Sequence, residues 1–264
     1  MPAPHNAFKA ALAARRPQIG LWLGLASPLA AELMSHTGFD WLVVDNEHGP
    51  NDIPLTLAQL QAIGTRAHPV VRPPLGEVHR LKQILDLGAQ TVLVPMIETA
   101  QHAQLMARAM LYPPQGLRGV GAAMARASAY GTSPDYLTTA NDQTCLLLQI
   151  ESQAGMANLE AIAGTPGVDG VFIGPSDLAA DMGHLGHPAR PEVQRVVDNA
   201  IARIIAAGKP AGILTADLAL AQHYLDLGAT FVAVGNDVNL LTQAATQLAA
   251  RFKTRAATAT AAQY

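Results

Sequence analysis

Eight short apolar runs punctuate the chain. They are IGLWLG from Ile19, WLVVD from Trp41, PVVRPP from Pro69, TVLVPMI from Thr91, CLLLQIE from Cys145, GVFIGP from Gly170, PAGILT from Pro210 and FVAVGND from Phe231. They are apolar on successive positions instead of alternating, which suits parallel strands covered on both faces. Between them stand stretches such as PLAAELMSHTG, LTLAQLQAIGTRA, EVHRLKQILDLG and PEVQRVVDNAIARIIAAGK. Their apolar residues recur at three and four, and several close on Gly, as helices do. A strand-then-helix unit repeated about eight times over 264 residues predicts an α/β protein. The expected architecture is a (β/α)8 TIM barrel with a parallel sheet, one domain over residues 1–264. A doubly wound open sheet is the competitor, but no GxGxxG follows the first run, which lowers its dinucleotide-binding form.

Two segments leave this rhythm. Residues Tyr112 to Asp142, rich in Gly, Pro and Ala, separate the fourth run from the fifth. Long irregular insertions in compact domains are usually functional or disordered. The tail 253–264, KTRAATATAAQY, is low in complexity and reads as a frayed end or a helix extension.

Composition removes several classes. At 50% apolar the chain is far from a disordered one. A net charge of -3 with 17 basic residues argues against nucleic acid, which calls for a basic stripe. No window approaches twenty apolar residues, so no membrane span is expected. The start MPAPHNAFKAALAARRPQ has no apolar signal core, and the lone Cys145 lies in an apolar run. Both fit a cytoplasmic protein with reduced thiols.

The informative feature is where ionisable residues fall. In a barrel, side chains at the carboxyl ends of strands line the active site. Run two ends in Asp45-Asn46-Glu47-His48, run three carries Arg72, run five ends in Gln149-Ile150-Glu151, and run six leads into Gly174-Pro175-Ser176-Asp177. Glu151 and Asp177 are the candidate metal ligands. Two carboxylates from adjacent strands make a hard oxygen site suited to Mg²⁺ or Mn²⁺, with Co²⁺ or Zn²⁺ admissible by affinity. For Asp177 the alternative is a helix cap. His48, beside carboxylates, suits proton transfer near neutral pH; the blander alternative is a loop histidine. Of the nine His, His68, His79, His102, His184, His187 and His223 read as solvated helix or loop residues. Arg72 inside an apolar strand requires a carboxylate partner, from a ligand or from Asp45 or Glu47. Asp86, near a helix C-terminus where an acid is disfavoured, suggests a partner such as a histidine, or a solvated side chain. Arg118-Gly119-Val120-Gly121 is a weak anion-binding motif with a turn as its default. Trp22 and Trp41 read as packing.

The strings IGLWLG, FDWLVVDNEHGPN, VVRPP, ILDLGAQT, LVPMIETA, YPPQGLRGVGAAMARAS, NDQTCLLLQIES, GVDGVFIGPSDLAADMG and GATFVAVGND cover almost the whole chain. They resemble the pyruvate-specific class II aldolases of the 4-hydroxy-2-oxoheptanedioate aldolase type, whose relatives cleave 2-keto-3-deoxy sugar acids (glucarate and rhamnonate types). The resemblance implies metal-dependent, reversible cleavage to pyruvate and succinic semialdehyde through a metal-stabilised pyruvate enolate, in the catabolism of aromatic compounds. It implies Glu151 and Asp177 as metal ligands and Gln149 and Ser176 at the substrate carboxylate. Arg72 would stabilise the enolate, His48 would be the base with Asp86 raising its basicity, and Asp45 would lie near the C4 hydroxyl. It further implies a homohexamer, a trimer of dimers exchanging the C-terminal helix. Asn46 stands where the family often has Gly, and position 176 varies, so acceptor preference is the less secure part. The alternatives are a sugar-acid aldolase, a CoA-thioester lyase, for which the chain shows no basic surface, and a non-catalytic small-acid binding barrel. No Lys stands at a strand end to form an imine.

Overall fold

The computed structural model describes residues 1–261, with side chains described to residue 253. Eight parallel strands close into a barrel in chain order, each paired with its sequence neighbours and the last with the first. They are β1 (Gln18–Leu23), β2 (Trp41–Asp45), β3 (His68–Arg72), β4 (Thr91–Val94), β5 (Cys145–Ile150), β6 (Gly170–Ile173), β7 (Ala211–Leu214) and β8 (Phe231–Asn236). All eight apolar runs are therefore strands. The helices are α1 (Ala7–Ala13), α2 (Pro28–Ser35), α3 (Ile53–Ile63), α4 (Val78–Asp86), α5 (Ala100–Ala109) and α6 (Tyr136–Gln143). They continue with α7 (Gln153–Ala157), α8 (Leu159–Ala163), α9 (Pro175–Asp181), α10 (Pro191–Ala206), α11 (Leu218–Asp226) and α12 (Asp237–Ala261). The expected tail continues α12 to Ala261, and its residues 262–264 lie outside the described residues.

Strand periodicity divides the core in two. One face of each strand packs outward on the helices, as Leu42, Val44, Val71, Leu146 and Leu148 do. The other fills the barrel with Trp22, Trp41, Val43, Val70, Leu93, Cys145, Leu147, Phe172 and Phe231. Aromatic bulk there requires glycine opposite it. The Trp41 indole occupies the space a Cβ on Gly20 would need, and Phe231 does the same at Gly212.

The amino end of the barrel is closed by α1, whose N-cap Asn6 accepts from Lys9 N. Phe8 of α1 is fully buried and stacks on His68, ring centroids 5.1 Å apart and planes 10° from parallel. The expectation that His68 is a solvated histidine is thus wrong: it opens β3, half-buried, with Nε2 2.7 Å from Thr91 Oγ1. Burial pushes its pKa down to about 4, so it is neutral at physiological pH. The insertion between β4 and β5 contains two short 3₁₀ turns and α6, and it packs with Tyr112, Ala122, Tyr136 and Ala140 in a satellite core.

Candidate active site

Period two along β2 turns Trp41, Val43 and then Asp45 into the barrel. In the next strand Arg72 lies in register opposite Asp45. The neighbouring positions make a forked pair: Arg72 Nε donates to Asp45 Oδ1 at 2.8 Å and Nη2 to Oδ2 at 2.7 Å. Asp45 Oδ1 also accepts from the backbone N–H of Glu47 at 3.0 Å, which bends the chain out of β2. That bend brings Glu47 Oε2 within 2.7 Å of Arg72 Nη1. The contact is an ion pair off the hydrogen-bonding direction, because the same oxygen has no aligned donor. Arg72 is buried, and its guanidinium lies 5.2 Å from the ring centre of Trp22. Both internal partners expected for Arg72 are therefore present together.

On the far side, β5 carries Gln149 and Glu151 inward, both buried. Glu151 Oε1 accepts from Met96 N at 2.9 Å, and Oε2 accepts a short hydrogen bond from Gln149 Nε2. Gln149 Oε1 is left without a donor. Gly174 ends β6 against this pair, where a side chain would collide with the Glu151 carboxylate. Burial pushes Glu151 up to about 7; the bonds from Gln149 and Met96 pull it down, and the charges of Glu47 and Asp177 push it up. Glu47 is likewise raised, first by burial, against the pull of Arg72 and His48 and with a push from Asp45 and Asp177. The carboxylates of Glu47 and Glu151, with Asp177 near both, gather negative charge at the carboxyl end of the barrel.

Asp177 and Ser176 are exposed in the first turn of α9, and neither makes a side-chain cap bond. The capping alternative for Asp177 is not what the structure shows. His48 stands at the rim, its side chain 69% exposed and its Nε2 3.9 Å from Glu47 Oε2.

Asp86 departs from the expected arrangement. It is the last residue of α4, which starts after β3 and runs back about 13 Å toward the amino end at 1.5 Å per residue. Its carboxylate is taken by Arg118 Nη2 at 2.9 Å, not by a histidine of the same chain. Arg118 in turn is buried against Tyr112, 4.3 Å from its ring centre, so its side chain serves as a structural cation.

Trp22 and the backbone of Met96 lie at the site although the strand-end pattern assigns them no role there, whereas Glu47 is one of the two acids it offers Arg72. Glu47 was legible from its place between Asp45 and His48. Met96 was not, because it contributes a main-chain N–H from a neighbouring loop. A cavity of about 930 Å³ opens at the amino end beside Phe8, His68, Arg66 and Arg126 and contains none of these residues. Among the described residues no group of three or more His, Cys, Asp or Glu is close enough to enclose a metal ion. Glu151 and Asp177 nevertheless fit a cation that takes its other ligands from water and substrate. The unpartnered Gln149 oxygen and the raised carboxyls of Glu47 and Glu151 are what such an ion would relieve.

A closed barrel with a buried arginine fork and facing carboxylates at the carboxyl ends of its strands is an arrangement typical of barrel enzymes. Comparison with known proteins makes this specific. Residues 18–244 match the family described as HpcH/HpaI aldolase/citrate lyase, and the chain belongs to it. It is 60% identical over 249 residues to a hydroxypyruvate/pyruvate aldolase of Deinococcus radiodurans, covering 94% of this chain and 90% of that one. It is 56% identical over 257 residues to a 4-hydroxy-2-oxo-heptane-1,7-dioate aldolase of Klebsiella pneumoniae, covering 97% of each. A solved family member from Burkholderia cenocepacia superposes with a TM-score of 0.90 at 41% identity, over 94% of this chain and 99% of that one. The protein is therefore an enzyme of the aldolase type, as the family resemblance implied.

Proposed function

We propose that the chain cleaves 4-hydroxy-2-oxoheptanedioate reversibly to pyruvate and succinic semialdehyde, with a divalent cation, Mg²⁺ or Mn²⁺ before Co²⁺ or Zn²⁺, held by Glu151 and Asp177. The observation that carries it is the Asp45–Arg72–Glu47 cluster facing Glu151 and Gln149, in a chain 56% identical to a relative bearing that activity's name. When bound, the cation supplies Lewis-acid polarisation of the 2-keto group.

The chain's own residues do the rest. Gln149 and Ser176 hold the substrate carboxylate. His48 takes the proton of the C4 hydroxyl, and the C3–C4 bond breaks as the C4 carbonyl forms. Its electron pair becomes the enolate of pyruvate. Arg72 has five N–H groups and uses two on Asp45, which leaves donors for the enolate oxygen. Asp45, fixed by that fork, orients the C4 hydroxyl. A proton delivered to C3 completes pyruvate. The lysines of the chain, Lys9, Lys82, Lys209 and Lys253, stand at no strand end, so no imine is invoked.

Asp86 raises the basicity of His48 only from a second copy, because α4 carries it to the other end of its own barrel. A homohexamer built as a trimer of dimers would bring them together. α12 supports that assembly: it projects Leu240, Leu241, Leu248 and Phe252 into solvent in the single chain, ready to exchange between subunits. We assign the protein to the cytoplasm; among the described residues no helix is long and apolar enough to cross a membrane.

A second reading takes hydroxypyruvate in place of pyruvate, favoured by the 60% identical relative named for both. Pyruvate release from 4-hydroxy-2-oxoheptanedioate and from 2-keto-3-deoxyglucarate, with EDTA and with Mg²⁺, Mn²⁺ or Co²⁺ restored, tests the main one. Metal-restored release, faster on the first substrate, supports it; faster release from the second moves the substrate to the sugar acids. Aldol addition to succinic semialdehyde that runs only with hydroxypyruvate favours the second reading. No release from either substrate under any condition sinks the aldol cleavage.

A further inference from the structure

We propose that Glu98 is a positioning residue for Glu151, acting through Ser152 and the backbone of Met96; this rests on the reading of Glu151 as a cation ligand. The loop that leaves β4 is fastened to the exit of β5 at four points. Ile97 N donates to Gln149 O at 3.0 Å, and Met96 N donates to Glu151 Oε1 at 2.9 Å. Ser152 Oγ donates to Glu98 Oε1 at 2.7 Å, and Asn158 Nδ2 donates to Glu98 O at 2.8 Å.

The second of these contacts is the one that aims Glu151, and it comes from a residue in an unfavourable conformation. Met96 has φ +53 although it is not glycine. The residue is 49% exposed, so its own packing does not hold the backbone there. What holds it is its flanks. Ile97 is fully buried on one side, and Glu98 is bolted to Ser152 and Asn158 on the other. Ser152 is oriented for this task. Its oxygen already accepts from Gly155 N at 3.1 Å as the N-cap of α7, which leaves its single proton for Glu98. If Glu98 lets go, Met96 relaxes toward an ordinary conformation and its N–H swings away from Glu151. One carboxylate oxygen then loses its fixed direction, and the ligand must be ordered anew when a cation arrives.

The test measures Mn²⁺ binding to the metal-free full-length protein by loss of the free-ion electron paramagnetic resonance signal. Glu98→Ala is expected to weaken binding about tenfold, as loss of a residue that orients a metal ligand does. Glu98→Gln should stay within about twofold of wild type, because its amide oxygen still accepts the Ser152 proton. Ser152→Ala should weaken binding about as much as Glu98→Ala, and the double variant should be no weaker than either, the signature of one coupled path. Thermal unfolding in EDTA should be the same for Glu98→Ala and Glu98→Gln. Wild-type affinity in Glu98→Ala, equal loss in Glu98→Gln, or additive losses in the double variant would each overturn the proposal. Glu151→Gln is the separate control: if it binds Mn²⁺ like wild type, the ligand reading itself fails and the positioning role goes with it.

Discussion

The two ends of the barrel are made of the same strand–helix unit but gather different polar groups: a matched amide cap at one, an arginine fork and carboxylates at the other. At the amino end Asn6 is buried and its groups are matched. Its N–H donates to Gln143 Oε1, its Nδ2 to Thr91 Oγ1 and Gln143 O, and its Oδ1 accepts from Lys9 N. At the carboxyl end Trp22 Nε1 and Gln149 Oε1 are buried without a hydrogen-bond partner. An unmatched buried polar atom costs stability, on the order of 1–3 kcal/mol. A bound cation, substrate or water at the carboxyl end would supply such partners. In the proposed reading one end holds the fold together and the other receives the ligand.

Substitutions at the two ends should separate accordingly. The largest effect is expected from His48→Ala. It should lower kcat by about 10²–10⁴, the range of a general base, while the melting temperature and Mn²⁺ affinity stay at wild type because the side chain is mostly exposed. Loss of Mn²⁺ binding would make His48 a metal ligand instead of the base. Phe8→Ala should do the converse. It removes the buried ring that closes the amino end and should cost about 3–5 kcal/mol in denaturant unfolding. Turnover per folded molecule should not change; a drop in kcat under conditions where the variant is fully folded would show that the ends are coupled.

Titration gives a finer version of the same contrast, with opposite signs. His68 has a folded pKa of about 4, below its ordinary 6.5. Its contribution to stability is complete above about 6.5 and is lost as pH falls from there to about 4. His68→Gln, which cannot take the charge, should flatten that stretch of the unfolding profile. Glu151 has a folded pKa raised to about 7. A cation must displace its proton, so Mn²⁺ affinity should strengthen as pH rises through about 7 and level off above it. Affinity that does not change between pH 6 and 8 would remove Glu151 from the ligand set.

Much of this was legible along the chain. Continuous apolar runs separated by amphipathic stretches specify strands buried on both faces, and eight such units in one chain of 264 residues close a barrel. Polar residues that interrupt an apolar strand only at its carboxyl end must face the mouth, since period two leaves them no other direction. Asp45, Arg72, Gln149 and Glu151 were found that way. His68 was misread for a local reason: at the start of a strand it looks like a loop residue, and only the arrival of Phe8 from α1, sixty residues earlier, buries it.

What required the tertiary structure is partnership between groups distant in sequence. Arg72 had two candidate acids, and the register of β2 on β3 gave it both. Asp86 called for a partner, and local sequence could not supply Arg118, which reaches it from an insertion 32 residues away. The N–H of Met96 aims Glu151 across 55 residues. Periodicity carries which face a side chain takes, because backbone geometry repeats every two or 3.6 residues. It carries nothing about which side chain waits there, because that depends on how separate strands and loops are brought together when the barrel closes.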